Sequence, residues 1–268
     1  TEKRLVLLTG ARQTGKTTLA KLKYPHLRYV NLDAPENREA VRQIATAHWG
    51  KDIGNAIIDE AQKEPIVFEK LKYAYDEGAI SFSIILGSSQ ILLLKKIRES
   101  LAGRVSIYEL WPLLMSEVCG SRLPLIELFC KQWDLEKVFK NIPGVLTDKA
   151  EAVCTEAENY LLKWGGMPAL LPLSEDERLK WLRDYEYTYL ERDLSDLARL
   201  DDLEPFRKFQ KLSALRSGRL LNYSELARDA AVSVDTAQRY LEYLRLSYQV
   251  ILIQPYKKNI TSSVVKSP

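Results

Sequence analysis

The sequence predicts an α/β protein: a parallel sheet covered by helices on both faces, followed by a helical segment and a C-terminal winged helix. Three observations carry that prediction. The stretch LVLLTGARQTGKTTLA, Leu5 to Ala20, is an apolar run that empties into a loop bounded by Gly10 and Gly15 and then into a helix-forming sequence. As far as about residue 112, short apolar runs alternate with polar helical stretches, and beyond it the strand signals stop. Near the end, two short helical patterns separated by a turn precede two apolar runs around a basic tip.

Taken in order, RLVLLTG, LRYVNLD, NAIIDE, SFSIILGSS and VSIYEL read as strands. Strands that alternate with helices run parallel, because each crossover returns the chain to the same end of the sheet. Residues 1–112 therefore read as one domain. Residues 113–200 read as a helical domain, in which SEDERLKWLRDYEYTYLERDLSDLARL is one long helix opened by a capping box of Ser174 and Glu177. The glycines and prolines of WGGMPALLP mark a turn ahead of it. Trp181, Tyr185, Tyr187 and Tyr189 read as packing residues of that helix rather than as a base-stacking platform. Residues 201–268 carry helices near 204–216, 224–231 and 234–247, then YQVILIQPY and ITSSVV as the strands of a wing.

With 268 residues, 46% of them hydrophobic, the chain has material for a sizeable core. A net charge of +3 with both signs abundant neither demands nor excludes nucleic acid, so a basic surface has to be local. No apolar run is long enough to span a bilayer and no signal sequence opens the chain, which predicts a cytoplasmic protein without a membrane partner. The start at Thr1, just ahead of the first strand, predicts a trimmed N-terminus. Cys119, Cys130 and Cys154 form no CxxC pair and read as buried reduced thiols. Only His26 and His48 are present, which disfavours a histidine-based metal or nucleophile site.

The opening loop fits G-x-x-x-x-G-K-[ST] with Gly10, Gly15, Lys16 and Thr17, in the strand-loop-helix context that the motif requires. Its composition follows from its chemistry. Glycines at positions 10 and 15 let the backbone turn tightly, so that the segment Gly10, Ala11, Arg12, Gln13, Thr14, Gly15, Lys16, Thr17 and Thr18 can surround phosphates at a helix N-terminus. Lys16 brings a point charge to the terminal phosphates, and Thr17 a hydroxyl to magnesium. Asp59, after Ala56, Ile57 and Ile58, ends another core strand and is the second candidate magnesium ligand. Glu60 beside it is placed to polarise a water for attack on the terminal phosphate. ILGSSQ puts Ser88 and Ser89 at the end of a third strand, where a hydroxyl can bond that water or phosphate. Arg104 either reaches a neighbour's phosphate in an oligomer or pairs with a helix end on its own surface.

With these residues in view, the chain resembles the prokaryotic AAA+-type ATPases in which a P-loop module is joined to a C-terminal region of uncharacterised function. The shared stretches run nearly the whole length: YVNLD, DEAQKEP, GSSQ, ESLAGR, YELWPL, GGMP, YLERDL and SGRLLNYSELARDAAVSVDTAQRYLEYL. The resemblance implies a P-loop NTPase sheet of AAA+ type, ATP as the nucleotide with Mg2+, and a homo-oligomer if Arg104 acts in trans. It also implies that Asn31 restrains the catalytic Glu60, that Ser88 or Ser89 senses the phosphate, and that Arg104 completes a neighbour's site. Leu86 departs from the pattern, since the resembled proteins favour threonine there. They also continue past KSP into a nuclease-like half that is expected to lie beyond this sequence.

In the C-terminal module, Ser224 is expected to cap the first helix of the pair and Ser233 the second. Thr236, Gln238 and Arg239 on that second helix are the candidates to face a major groove, with Lys257 and Lys258 contacting phosphates from the wing. Residues 201–268 hold 11 Lys and Arg against 7 Asp and Glu, an asymmetry that mildly favours DNA; a protein-contact or lid role stays open. The function expected is an ATP-hydrolysing machine or switch that couples nucleotide state to movement of the winged helix. The alternative is a nucleotide-gated DNA- or protein-binding module with little or no hydrolysis.

Overall fold

The computed structural model describes residues 4–87, 100–120, 136, 148–190 and 203–254. All five expected strands form, and all run parallel: β1 (Arg4–Thr9), β2 (Arg28–Asn31), β3 (Ala56–Asp59), β4 (Phe82–Gly87) and β5 (Val105–Glu109), in the order β2-β3-β4-β1-β5. The helices between them are α1 (Lys16–Lys23), α2 (Pro35–Gln43), α3 (Trp49–Asp52) and α4 (Ile66–Asp76). Side chains alternate across the sheet as the two-residue period requires. On one face Leu5, Leu7, Val30, Ile58 and Ile85 pack with Phe68 and Leu71 of α4; on the other Val6, Leu8, Ile57, Ile84 and Leu86 pack with Ala20 of α1. Leu86 is completely buried, so its departure from threonine serves packing. Lys70 of α4 is buried too, and its ammonium closes the end of α2 by donating to the carbonyls of Val41 (2.6 Å), Arg42 (3.0 Å) and Ile44 (2.5 Å).

The chain divides into two compact units, one of Thr1–Arg12, Lys16–Leu110 and Asp184–Pro268, the other of Gln13–Gly15 and Trp111–Arg183. Past Gln13–Gly15, the first change of unit along the chain comes after Leu110. The second comes after Arg183, and the C-terminal helices share a unit with the sheet.

The unit centred on 111–183 holds α5 (Met115–Val118), α6 (Asp148–Trp164) and all but the last two residues of α7 (Glu175–Tyr185). Gly166 makes the close turn expected of WGGMPALLP: a Cβ there would stand 2.4 Å from the Leu113 carbonyl oxygen, while the Leu113 amide donates to the Gly166 carbonyl at 2.7 Å. Half of the expected capping box forms at α7. The Glu177 carboxylate accepts from the Ser174 amide (2.8 Å), but the Ser174 hydroxyl donates to that same carboxylate (2.7 Å). Within the described part of the expected long helix, the α-helix runs to Tyr185 and passes into a π-helical turn, Glu186–Leu190; residues 191–200 lie outside the described set. Tyr187 is 54% exposed with the Arg207 guanidinium over its ring, which corrects the expectation of packing; the side chain of Tyr189 lies outside the described set. Cys119 and Cys154, expected buried, are half-buried free thiols, and Cys130 lies outside the described residues.

The C-terminal helices are α8 (Glu204–Leu215), α9 (Tyr223–Ala230) and α10 (Val234–Leu246). Their core is Phe206, Phe209, Leu226, Ala227, Leu241 and Leu244, with both phenylalanine rings edge-on to Tyr240 at 5.2 and 5.6 Å. Asn222, not Ser224, caps α9, because its side-chain oxygen is the one placed to accept from the Glu225 amide three residues on (3.2 Å). Ser233 caps α10 as expected, accepting from the Thr236 amide at 3.1 Å. Residues 249–254, expected to form the first wing strand, carry no ladder pairing among the described residues. Val250 and Leu252 pack on the helices while Ile251 and Ile253 are 67% and 83% exposed. The ITSSVV run, Lys257 and Lys258 lie outside the described residues.

Candidate functional site

The glycine-bounded loop leaves β1 at Thr9 and enters α1 at Lys16. Gly10 is required twice over: its φ is +152°, and a Cβ would stand 2.2 Å from the Leu110 carbonyl oxygen at the end of β5. Gly15 has no such neighbour and is required by its φ of +92° alone. Gln13, with φ 61°, holds the left-handed region without being glycine. Lys16 is 8% exposed, and its ammonium donates to the carbonyls of Gly10 (3.0 Å) and Ala11 (2.6 Å), so the cation is held over the loop's first limb.

β3 delivers Asp59 to the same place. Its Oδ2 accepts from the Thr17 hydroxyl at 2.7 Å, which brings together the two residues expected to hold magnesium. Two hard oxygen donors at the start of α1 and the end of β3 fit that ion by chemistry. A third group was not anticipated from sequence: the Tyr29 hydroxyl donates to the same Oδ2 at 2.8 Å. The signal was present in LRYVNLD. β2 pairs with β3 as Tyr29 to Ile57 and Asn31 to Asp59, so the two-residue period puts Tyr29, Ile57 and Asp59 on one face. Burial first, then the bond to Asp59, raises the Tyr29 pKa well above the ordinary range and keeps it a donor.

Glu60 follows with φ 53° and ψ 41°, left-handed backbone that costs a side-chain-bearing residue about 1 kcal/mol. Such strain concentrates at working sites. The Glu60 amide donates to Asp59 Oδ1 (3.0 Å), and its carboxylate accepts from Gln62 Nε2 (2.5 Å). Gln62 is a second residue that sequence reading missed, and its buried Oε1 has no hydrogen-bond partner among the described residues. The restraint expected from Asn31 is not what these bonds provide. Asn31 Oδ1 accepts from the Asp33 amide (2.9 Å), closing the turn after β2, because a side-chain amide two residues upstream competes for that donor.

Arg104 has a partner within its own chain. Its guanidinium donates to both oxygens of Asp76, at 2.6 and 2.9 Å, and to the Ala102 carbonyl at 3.1 Å. This is the surface pairing of the two roles expected for it, and the bonds hold the Asp76 carboxyl below its ordinary pKa. Ser88 and Ser89 lie outside the described residues, although Gly87 pairs with Thr9 and so brings the end of β4 beside the loop. Thr18 is exposed on α1. On α10, Gln238 and Arg239 are exposed, whereas the Thr236 hydroxyl is engaged with Ser233 at 2.9 Å.

Residues 2–119 match the family model of the AAA domain, and residues 155–268 that of a domain of unknown function. An uncharacterised protein of Mycobacterium bovis and one of Mycobacterium tuberculosis are each 30% identical over 266 residues, which is 98% of this chain and 53% of theirs. The chain thus spans about half the length of the curated relatives it matches. Among solved structures, a signal-transduction ATPase (STAND protein) of Pyrococcus horikoshii overlaps at TM-score 0.37 and 17% identity, over 90% of this chain and 37% of that one. AMPPCP-bound DnaA from Aquifex aeolicus overlaps at 0.31 and 13%, over 91% and 82%, and Drosophila ORC bound to DNA at 0.35 and 16%, over 97% and 79%. Overlaps this loose leave function open. No described helix is long and apolar enough to cross a membrane.

Proposed function

We propose, for a chain whose residues 2–119 belong to the AAA domain family, that it hydrolyses ATP with magnesium and that its C-terminal helices respond to the nucleotide. The observation that carries this reading is the 2.7 Å bond between Thr17 and Asp59, with Glu60 as the next residue. The loop amides and Lys16 hold the phosphates, and Thr17 and Asp59 hold the cation. When bound, magnesium neutralises charge on the phosphate oxygens. Glu60 takes a proton from a water whose oxygen bonds to the terminal phosphorus as the bond to the ADP oxygen breaks. Tyr29 steadies Asp59, and Gln62 steadies Glu60. Arg104 acts as a brace on Asp76 rather than as a finger, since reaching a neighbour would break a bidentate pair. The output end is α10, whose exposed Gln238 and Arg239 are offered to a partner, with duplex DNA the first to try.

The test is Glu60→Gln. ATP binding, measured by calorimetry, is expected to stay within about threefold of the parent while turnover falls by roughly 10²- to 10⁴-fold. Turnover that survives the change removes Glu60 from the catalytic role. Salt-dependent duplex binding that differs between the ATP-bound and ADP-bound protein would identify the partner as DNA.

A further inference from the structure

The first limb of the nucleotide loop is held from far along the chain. Thr9, the last residue of β1 and wholly buried, shares a 3.1 Å hydrogen bond between its Oγ1 and the hydroxyl of Tyr248, 239 residues away. Tyr248 stands just past α10, is 8% exposed and has φ 62°. Around it the backbone makes a Schellman cap: the Tyr248 amide donates to the Arg245 carbonyl (3.1 Å) and the Gln249 amide to the Leu244 carbonyl (2.9 Å). Glycine fills that left-handed position without penalty. What tyrosine adds is a ring and a hydroxyl, and the hydroxyl is on β1. A second hydroxyl reaches the same limb, as Tyr185 donates to the Arg12 carbonyl at 3.2 Å. Between these two anchors lies Gly10, pressed against Leu110.

We infer that Tyr248 is a positioning residue for the nucleotide loop, a pin through which occupancy of the loop and packing of α8–α10 bias one another. The inference rests on the reading of the loop as an ATP site. Nucleotide drawn into the loop sets the place of Thr9, and Thr9 sets the cap that ends α10. By linkage the effect is reciprocal, so a change at the cap alters nucleotide affinity by the factor with which nucleotide alters the cap.

The experiment is a double-mutant cycle of Tyr248→Phe and Thr9→Val, each of which deletes one hydroxyl and keeps the volume. The probe is the non-hydrolysable analogue AMPPNP with magnesium. Each single variant is expected to bind it about 3- to 10-fold more weakly, and the double variant no more weakly than the worse single. Bound analogue is expected to slow amide exchange over residues 234–248 in the parent and not in Tyr248→Phe. Exchange there that ignores bound analogue, or single effects that multiply in the double variant, overturns the inference. If the parent binds no analogue, the ATPase reading fails, and the pin is judged without nucleotide. Exchange over residues 5–9 that is about tenfold faster in each single variant supports it, and unchanged exchange overturns it.

Discussion

At Glu60 the backbone is left-handed, the amide is tied to Asp59, and the carboxylate is tied to Gln62, so the proposed base has its position fixed from three sides. A hydrogen bond to a charged group contributes about 1.5–3 kcal/mol, enough for a tenfold effect on the step it aligns. Gln62→Ala is therefore expected to lower kcat for ATP about tenfold while KM and ATP affinity stay within about twofold. Steady-state kinetics beside calorimetry separates this from misfolding, which would weaken binding as well. Sequence reading reached the residues now proposed to carry the chemistry, because Lys16, Thr17, Asp59 and Glu60 are named by spacing along one strand-loop-helix unit and one strand end. It missed Tyr29 and Gln62, whose roles depend on which neighbour they meet: Tyr29 on the register of β2 against β3, Gln62 on the short helical turn after Glu60.

Some elements are also tied to one another at their ends. Arg104, just before β5, grips Asp76, the last residue of α4, and this brace occupies the group that a neighbour's site would need. Arg104→Ala is expected to change turnover per protomer by no more than about threefold, equally at low and high protein concentration. A loss approaching 10³-fold that appears only where protomers associate would restore the finger. The strands were legible because a buried parallel strand must be an unbroken apolar run, as in Ala56–Ile58. The caps were half legible. Ser233 caps α10, but Asn222 outcompetes Ser224, since helix polarity does not say where the first turn begins. Val250 and Leu252 keep the alternation expected of the first wing strand and pack on the helices, while the run expected to pair with it lies outside the described residues.

Across the whole molecule, one buried hydroxyl makes stability depend on alkaline pH. Burial, with a smaller contribution from Glu109, pushes the Tyr248 pKa up to about 12 despite the bond to Thr9. The unfolded chain titrates this group near 10, so between pH 10 and 12 the folded state binds more protons than the unfolded state. Its contribution is full below pH 10 and is lost as pH rises to 12. Urea midpoints across that window are expected to show the advantage of the parent over Tyr248→Phe shrinking by on the order of 1–2 kcal/mol. A difference that stays constant with pH would place the hydroxyl in contact with water. The same bond bears on how the protein is made. Ribosomes deliver residues in order at about 5–20 per second, so on the order of 10 to 50 s separate the emergence of Thr9 from that of Tyr248. During the first part of that interval β1 also lacks both lateral partners, since β4 and β5 are still to be translated. Until then its apolar side chains have no neighbouring strand to pack beside. The loop that β1 carries is synthesised well before residue 248 and gains the hydrogen bond inferred to pin it only when that residue arrives.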